Sequence, residues 1–206
     1  MITMSDIAIT AQKEKELQKI LEEIITLKES SLYKYRIENG YVPVLGDGSS
    51  DASILFIGEA PGKKEALTGK PFCGASGKIL DKFLERVGVD RSLVYITNIV
   101  KDRPQENRDP TPEEIELYTP FLDRQIDIIQ PKVIATLGRF SMKYIIQKFD
   151  PSWDEPISKA RGQEIKVQAS YGEITILPLY HPAATIYNQK LREVFFEDGE
   201  TLKKYL

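Results

Sequence analysis

The sequence predicts an α/β domain of three layers, α/β/α, around a central, mostly parallel sheet of four strands. Two observations carry this prediction. Four short apolar runs, "SILFIG" (53–58), "LVYITNI" (93–99), "KVIATLG" (132–138) and "ITILPLY" (174–180), are β-branched or aromatic and nearly continuous, as strands covered on both faces are. Helical stretches separate the first three, which is the alternation of a parallel sheet with helices packed on both faces. The length of 206 residues suits one such domain spanning 1–206.

The elements follow in order. Residues 13–35 read as one N-terminal helix, with Leu17, Ile20, Leu21, Ile24 and Leu27 recurring at threes and fours. The segment "ENGYVPVLGDGSSD" breaks that pattern and reads as a loop carrying a short extended piece. After the first strand, "ASGKILDKFLERVG" places Ile79, Leu80, Phe83, Leu84 and Val87 on one helical face. After the second, Thr111 reads as an N-cap, with Pro112 at the first helical position and Glu114 completing a capping box. Pro131 ends that helix. A third helix begins just after Gly138, "DPSWDEPISKARGQ" reads as irregular, and a terminal helix is expected near 200–206.

Composition bounds the chemistry. A hydrophobic share of 41% and a charged share of 29% are ordinary for a soluble globular protein. No apolar run is long enough to span a bilayer, and "MITMSDIAIT" lacks the basic-then-apolar layout of a secretory signal. A single cysteine, Cys73, excludes an internal disulfide or a multi-cysteine metal site within one chain and fits a cytoplasmic location. The net charge of -3 argues against generic, charge-driven nucleic-acid binding but leaves room for a local basic surface. The order of basic residues offers one. Lys63, Lys64 and Lys70 surround the first strand-to-helix loop; Lys101, Arg103 and Arg108 follow the second strand; Arg139 follows the third; Lys159 and Arg161 precede the fourth.

Ligands of such sheets bind at the carboxyl ends of the strands. Those ends carry the least generic residues here: "GEAPG" after the first strand, Asn98 and "KDRPQENRDP" after the second, "GRF" after the third, and His181-Pro182 after the fourth, with His181 the only histidine of the chain. Gly58 and Gly62 are accounted for by a tight turn, whereas Glu59, a carboxylate directly after a buried strand, needs a partner or a ligand. Phe72 reads either as a core contact or as a stacking platform for a planar base. Asn98 reads either as a turn residue or as an amide that reads the edge of a base.

Taken together, "GEAPG", "GKPFCGASGKILDK", "YITNIVKDRPQENRDP", "PKVIATLGRF", "RGQ" and "YHPAA" resemble the uracil-DNA glycosylase superfamily in its family-4 branch, from about Arg36 to near the C-terminus. The resemblance implies a monofunctional enzyme that flips uracil out of DNA and hydrolyses its N-glycosidic bond. By resemblance, Phe72 stacks on the base, Asn98 reads its N3–O4 edge, and Glu59 and Ala60 line the pocket, with Glu59 helping to exclude the thymine methyl. His181 donates to O2 as the bond breaks, Glu65 orients the water, and residues 183–188 contact DNA and help fill the gap left by the flipped base. Arg103, Arg108, Arg139 and Arg161 are the candidate phosphate contacts. The expected partner is uracil-containing DNA, with no membrane and a monomeric enzyme. Two alternatives of the same fold stand beside this reading: a DNA-binding relative without catalysis, and a glycosylase for another deaminated base.

The sequence departs from that branch beside Glu65, where family acids are replaced by Lys63, Lys64 and Ala66, and more sharply in its cysteines. Four cysteines that typically hold an iron–sulfur cluster align with Leu27, Ser30, Asp102 and Tyr118. The resemblance, so modified, implies no metal and no cofactor, and these four residues are expected to meet in the folded chain.

Overall fold

The computed structural model describes residues 4–205. The chain runs α1 (Met4–Ile25), α2 (Ser31–Glu38), β1 (Asp47–Gly48), β2 (Ile54–Gly58), α3 (Lys63–Thr68), α4 (Ala75–Val87), β3 (Tyr95–Asn98), α5 (Pro112–Ile129), β4 (Val133–Leu137), α6 (Arg139–Phe149), α7 (Ile157–Ala160), β5 (Ile165–Ala169), β6 (Gly172–Leu179) and α8 (Gln189–Gly199), with a closing 3-10 turn over Glu200–Tyr205. Leu206, the last residue of the expected terminal helix, lies outside the described residues.

Among the described residues the sheet has six strands, in the order β1-β3-β2-β4-β6-β5, rather than the four expected. The four expected strands form its parallel centre. The additional two pair antiparallel at the edges, β1 on β3 and β5 on β6. Their signals are weak for a physical reason. β1 is two residues long, and no residue of β5 is fully buried, so neither shows the continuous apolar run of a central strand.

The expected helix over 13–35 is also corrected. The Ser30 hydroxyl accepts the Leu32 N–H at 3.1 Å and starts a second helix, so the chain breaks between Ile25 and Ser31. The capping box at Thr111 forms as the pattern predicts, with Glu114 accepting the Thr111 N–H at 2.9 Å.

Alternate residues of the central strands face opposite layers. Leu55, Ile57, Ile134 and Ile176 pack under α1, α2, α5 and α6 through Ile20, Ile24, Leu32, Tyr118, Leu122 and Ile145. Ile54, Phe56, Ile96 and Leu177 pack under α4 and α8 through Leu80, Phe83, Leu84 and Phe195. Two covered faces make the sheet rigid and leave the strand ends as the open rim. No described helix is long and apolar enough to cross a membrane.

Candidate active site

A cavity of about 330 Å³ opens at the carboxyl ends of β2, β3 and β6. It is lined by Glu59, Ala60, Glu65, Phe72, Asn98 and His181, bringing together the six expected pocket residues, and by Gly62, Ser76, Asn107 and Ala183. Each arrives by a local cause. Glu59 and Ala60 leave β2, Asn98 is the last residue of β3, and His181 stands two residues beyond β6.

Glycine sets the pocket's depth. A Cβ on Gly58 would come within 2.3 Å of Asn98 Oδ1 and 2.7 Å of Phe72 Cζ, so only glycine lets those side chains close over the end of β2. A Cβ on Gly77 would meet the Phe72 carbonyl oxygen at 1.8 Å, so the first turn of α4 can lie against that loop only with glycine there. Phe72 itself is buried and holds a positive φ of 48°, a conformation costly for an aromatic residue. Glu65 secures the same loop. Its Oε1 accepts the Cys73 N–H at 3.0 Å and the Gly74 N–H at 2.8 Å, capping the N-terminal end of α4 where Gly74 has no side chain to do so.

The electrostatics are specific. His181 Nδ1 accepts the Ala183 N–H at 3.2 Å, so in the neutral ring Nε2 carries the hydrogen. Burial pushes its pKa down to about 4, which keeps the imidazole neutral. The ring lies 5.7 Å from that of Phe72. Asn98 lines the cavity, and its Oδ1 is buried with no hydrogen-bond partner in the protein, an unmet acceptor beside Gly58. Burial, reinforced by Asp109 and opposed by Arg139, raises the Glu59 pKa to about 7.

The model of the uracil DNA glycosylase superfamily matches residues 45–201. The chain belongs to that superfamily. It is 44% identical over 189 residues to the type-4 uracil-DNA glycosylase of Sulfurisphaera tokodaii, covering 91% of this chain and 84% of that protein. It is 42% identical over 182 residues to the enzyme of the same name from Archaeoglobus fulgidus (88% and 89%) and 39% identical over 165 residues to that from Thermotoga maritima (79% and 82%).

Around this pocket the expected basic surface is largely committed to carboxylates. Arg108 holds Glu114 with two nitrogens at 2.6 and 2.8 Å, Arg161 holds Asp198 at 2.5 Å, and Arg139 pairs with Asp109. Arg139 is the most open of these, with 64% of its side chain exposed. Arg103 is buried, donating to Tyr41 at 2.7 Å, Tyr35 at 3.1 Å and Asn107 at 2.8 Å. Lys101, expected on the rim, is fully buried instead. A sequence count of basic residues could not anticipate this, because it carries no information on which acids fold beside them.

The cluster positions are filled by mutually bonded side chains. Tyr118, Ser30 and Asp102 meet in the core, and Leu27 packs half-buried against the same core. With no thiolate in the set and their polar atoms engaged with one another, these residues do not fit an iron–sulfur cluster. Two lining residues of the pocket, Ser76 and Asn107, were not expected from the sequence. Asn107 carried a legible signal, since Asn tolerates positive φ and its φ is 56° next to Glu106 at 54°.

Proposed function

We propose that this chain hydrolyses the N-glycosidic bond of uracil flipped out of DNA and leaves an abasic site. The observation that carries the reading is that one cavity is lined both by Asn98, whose Oδ1 has no partner in the protein, and by a neutral His181 whose Nε2 bears the hydrogen. Uracil presents O2, N3–H and O4 along one edge. Asn98 Oδ1 accepts from N3–H, and the Asn98 NH₂ donates to O4. Phe72 stacks on the base, while Glu59 and Ala60 occupy the wall that a C5 methyl group would meet.

Breaking the bond drives negative charge onto the departing uracil and positive charge onto the sugar. A neutral imidazole N–H held at O2 is worth more as that charge develops than in the ground state. Water then captures the sugar cation. Glu65 Oε1 is already engaged by two backbone amides, so orientation of that water falls to Oε2 alone. Arg108, Arg139 and Arg161 reach phosphates by releasing their carboxylates, and Tyr187, which is 99% exposed in the segment following His181, is the side chain placed to enter the DNA stack.

The enzyme acts without a metal, since Leu27, Ser30, Asp102 and Tyr118 supply no cluster ligands. A DNA substrate with a lone free cysteine supports a cytoplasmic location, and the reading takes the enzyme as a monomer. The test is a gel assay on an oligonucleotide with one uracil, followed by alkaline cleavage. Strand scission at the uracil, and none at thymine or cytosine in the same position, is the expected result; an intact strand overturns the reading.

A further inference from the structure

Lys101 stands three residues beyond Asn98 and is fully buried. Its Nζ lies 2.6 Å from the Asn98 carbonyl oxygen and 2.7 Å from Thr97 Oγ1, and it is hydrogen-bonded to Gln125 Oε1. None of these partners is a carboxylate. A buried ammonium without a counter-ion is costly, and burial alone drives its pKa well down.

The hydrogen bonds hold the Asn98 carbonyl whichever form the amine takes. That carbonyl can only accept. Gln125 turns its NH₂ to the Leu45 carbonyl at 3.0 Å, which leaves Oε1, an acceptor, toward Lys101. Thr97 Oγ1 lies 2.6 Å from the Leu45 carbonyl and 2.7 Å from Nζ, and its hydrogen can go to either. An ammonium donates to all three oxygens, and a neutral amine donates to Asn98 and Gln125 while accepting from Thr97.

The place of this amine is the informative fact. An apolar side chain would fill the same core volume without desolvating a polar head. Instead the amine sits on the backbone carbonyl of the last residue of β3, and that residue lines the pocket and has a buried Oδ1 without a partner. A buried carboxamide oxygen without a partner gains by turning toward any internal donor, so its direction needs support. We infer that Lys101 is a positioning residue for uracil recognition: by holding the backbone carbonyl of Asn98, together with Thr97 and Gln125, it keeps the Asn98 carboxamide turned into the cavity. The inference rests on the uracil reading given above.

A double-mutant cycle tests it, using Lys101→Met, Asn98→Ala and their combination, with single-turnover excision and inhibition by free uracil as readouts. If wild-type protein fails to excise uracil, the functional reading falls; given wild-type excision, the cycle judges Lys101 alone. Lys101→Met is expected to weaken uracil inhibition on the order of tenfold in the wild-type background and less than about twofold when Asn98 is already alanine, because a lysine that acts through the Asn98 carboxamide has nothing to position once that side chain is gone. Should Lys101→Met fail to fold, Gln125→Leu, which removes one acceptor and leaves the lysine, enters the same cycle with the same pattern expected. An equal effect in both backgrounds, or none in either, overturns the proposal.

Discussion

Tyr118 donates its phenolic hydrogen to Asp102 at 2.5 Å, joining α5 to the loop that follows β3. The Ser30 hydroxyl lies 2.9 Å from the same phenolic oxygen, and Arg36 Nη1 reaches both Asp102 oxygens at 2.9 and 3.0 Å. Arg36 also donates to the carbonyls of Ile24 and Ile25, closing the end of α1. Three stretches of the chain, residues 24–36, the loop at Asp102 and α5, therefore meet at one buried carboxylate, and hydrogen bonds do the work of a covalent or metal staple.

This network predicts that the purified protein is iron-free and that chelators leave its melting temperature unchanged. Tyr118→Phe should lower stability by about 1–3 kcal/mol by stranding buried polar groups. Asp102→Ala should cost about 3–5 kcal/mol, since it leaves the buried Arg36 unpaired. Urea denaturation measures both. Stoichiometric iron in the preparation, or a Tyr118→Phe protein as stable as wild type, would contradict the account.

His181→Ala should fold normally and slow uracil excision by about 10²–10³, the usual loss on removing one oxyanion donor. Because the folded pKa is held near 4, below the ordinary 6.5, the unfolded chain binds more protons between those values. The His181 contribution to stability is thus present above about pH 6.5 and declines as pH falls toward 4. Urea titrations at pH 7 and pH 5 should show a smaller stability difference in His181→Ala than in wild type; an equal difference would remove the imidazole from the titration.

Glu59 titrates in the opposite sense. With its pKa raised to about 7, it is substantially protonated at neutral pH and ionises as pH rises. A carboxylate at the pocket wall opposes the anionic uracil that forms during cleavage. Single-turnover excision should therefore fall as pH rises through about 7, and Glu59→Gln should level that limb. Its stability contribution has the matching sign, present at low pH and lost as pH rises through about 7. A limb that persists unchanged in Glu59→Gln would assign it to another group.

Glu65 acts first on the loop that carries Phe72. Glu65→Gln keeps an oxygen for the Cys73 and Gly74 amides and should retain excision within about fivefold, whereas Glu65→Ala should lose more than about tenfold as the loop loses its cap. If Glu65→Gln is instead as impaired in single turnovers as Glu65→Ala, Oε2 is the group that activates the water.

Salt dependence separates the arginines. Replacing Arg139, exposed on the rim, should flatten the slope of log affinity against log salt by about 0.9 on duplex DNA. Replacing Arg103, enclosed by Tyr35, Tyr41 and Asn107, should lower stability instead. A salt slope unaltered by Arg139→Ala would leave that residue to its pair with Asp109.

Much of this protein was settled by local pattern. Continuous apolar runs located the four central strands, because strands covered on both faces must be apolar at every position. Thr111, Pro112 and Glu114 located the start of α5, because capping acts within four residues. Motifs at the strand ends located the pocket residues, since a parallel sheet delivers those ends to one rim. What local pattern could not supply was partnership across the chain. The edge strands depend on neighbours for their pairing, and the tie from the Ser30 hydroxyl to Tyr118 spans 88 residues. Tertiary structure alone decided that Lys101 is buried behind Asn98 rather than placed on the rim, and that Arg103 holds tyrosines rather than facing solvent. A charge in a sequence has a sign but no surroundings, and its surroundings determine whether it binds DNA, supports a strand or holds the core together.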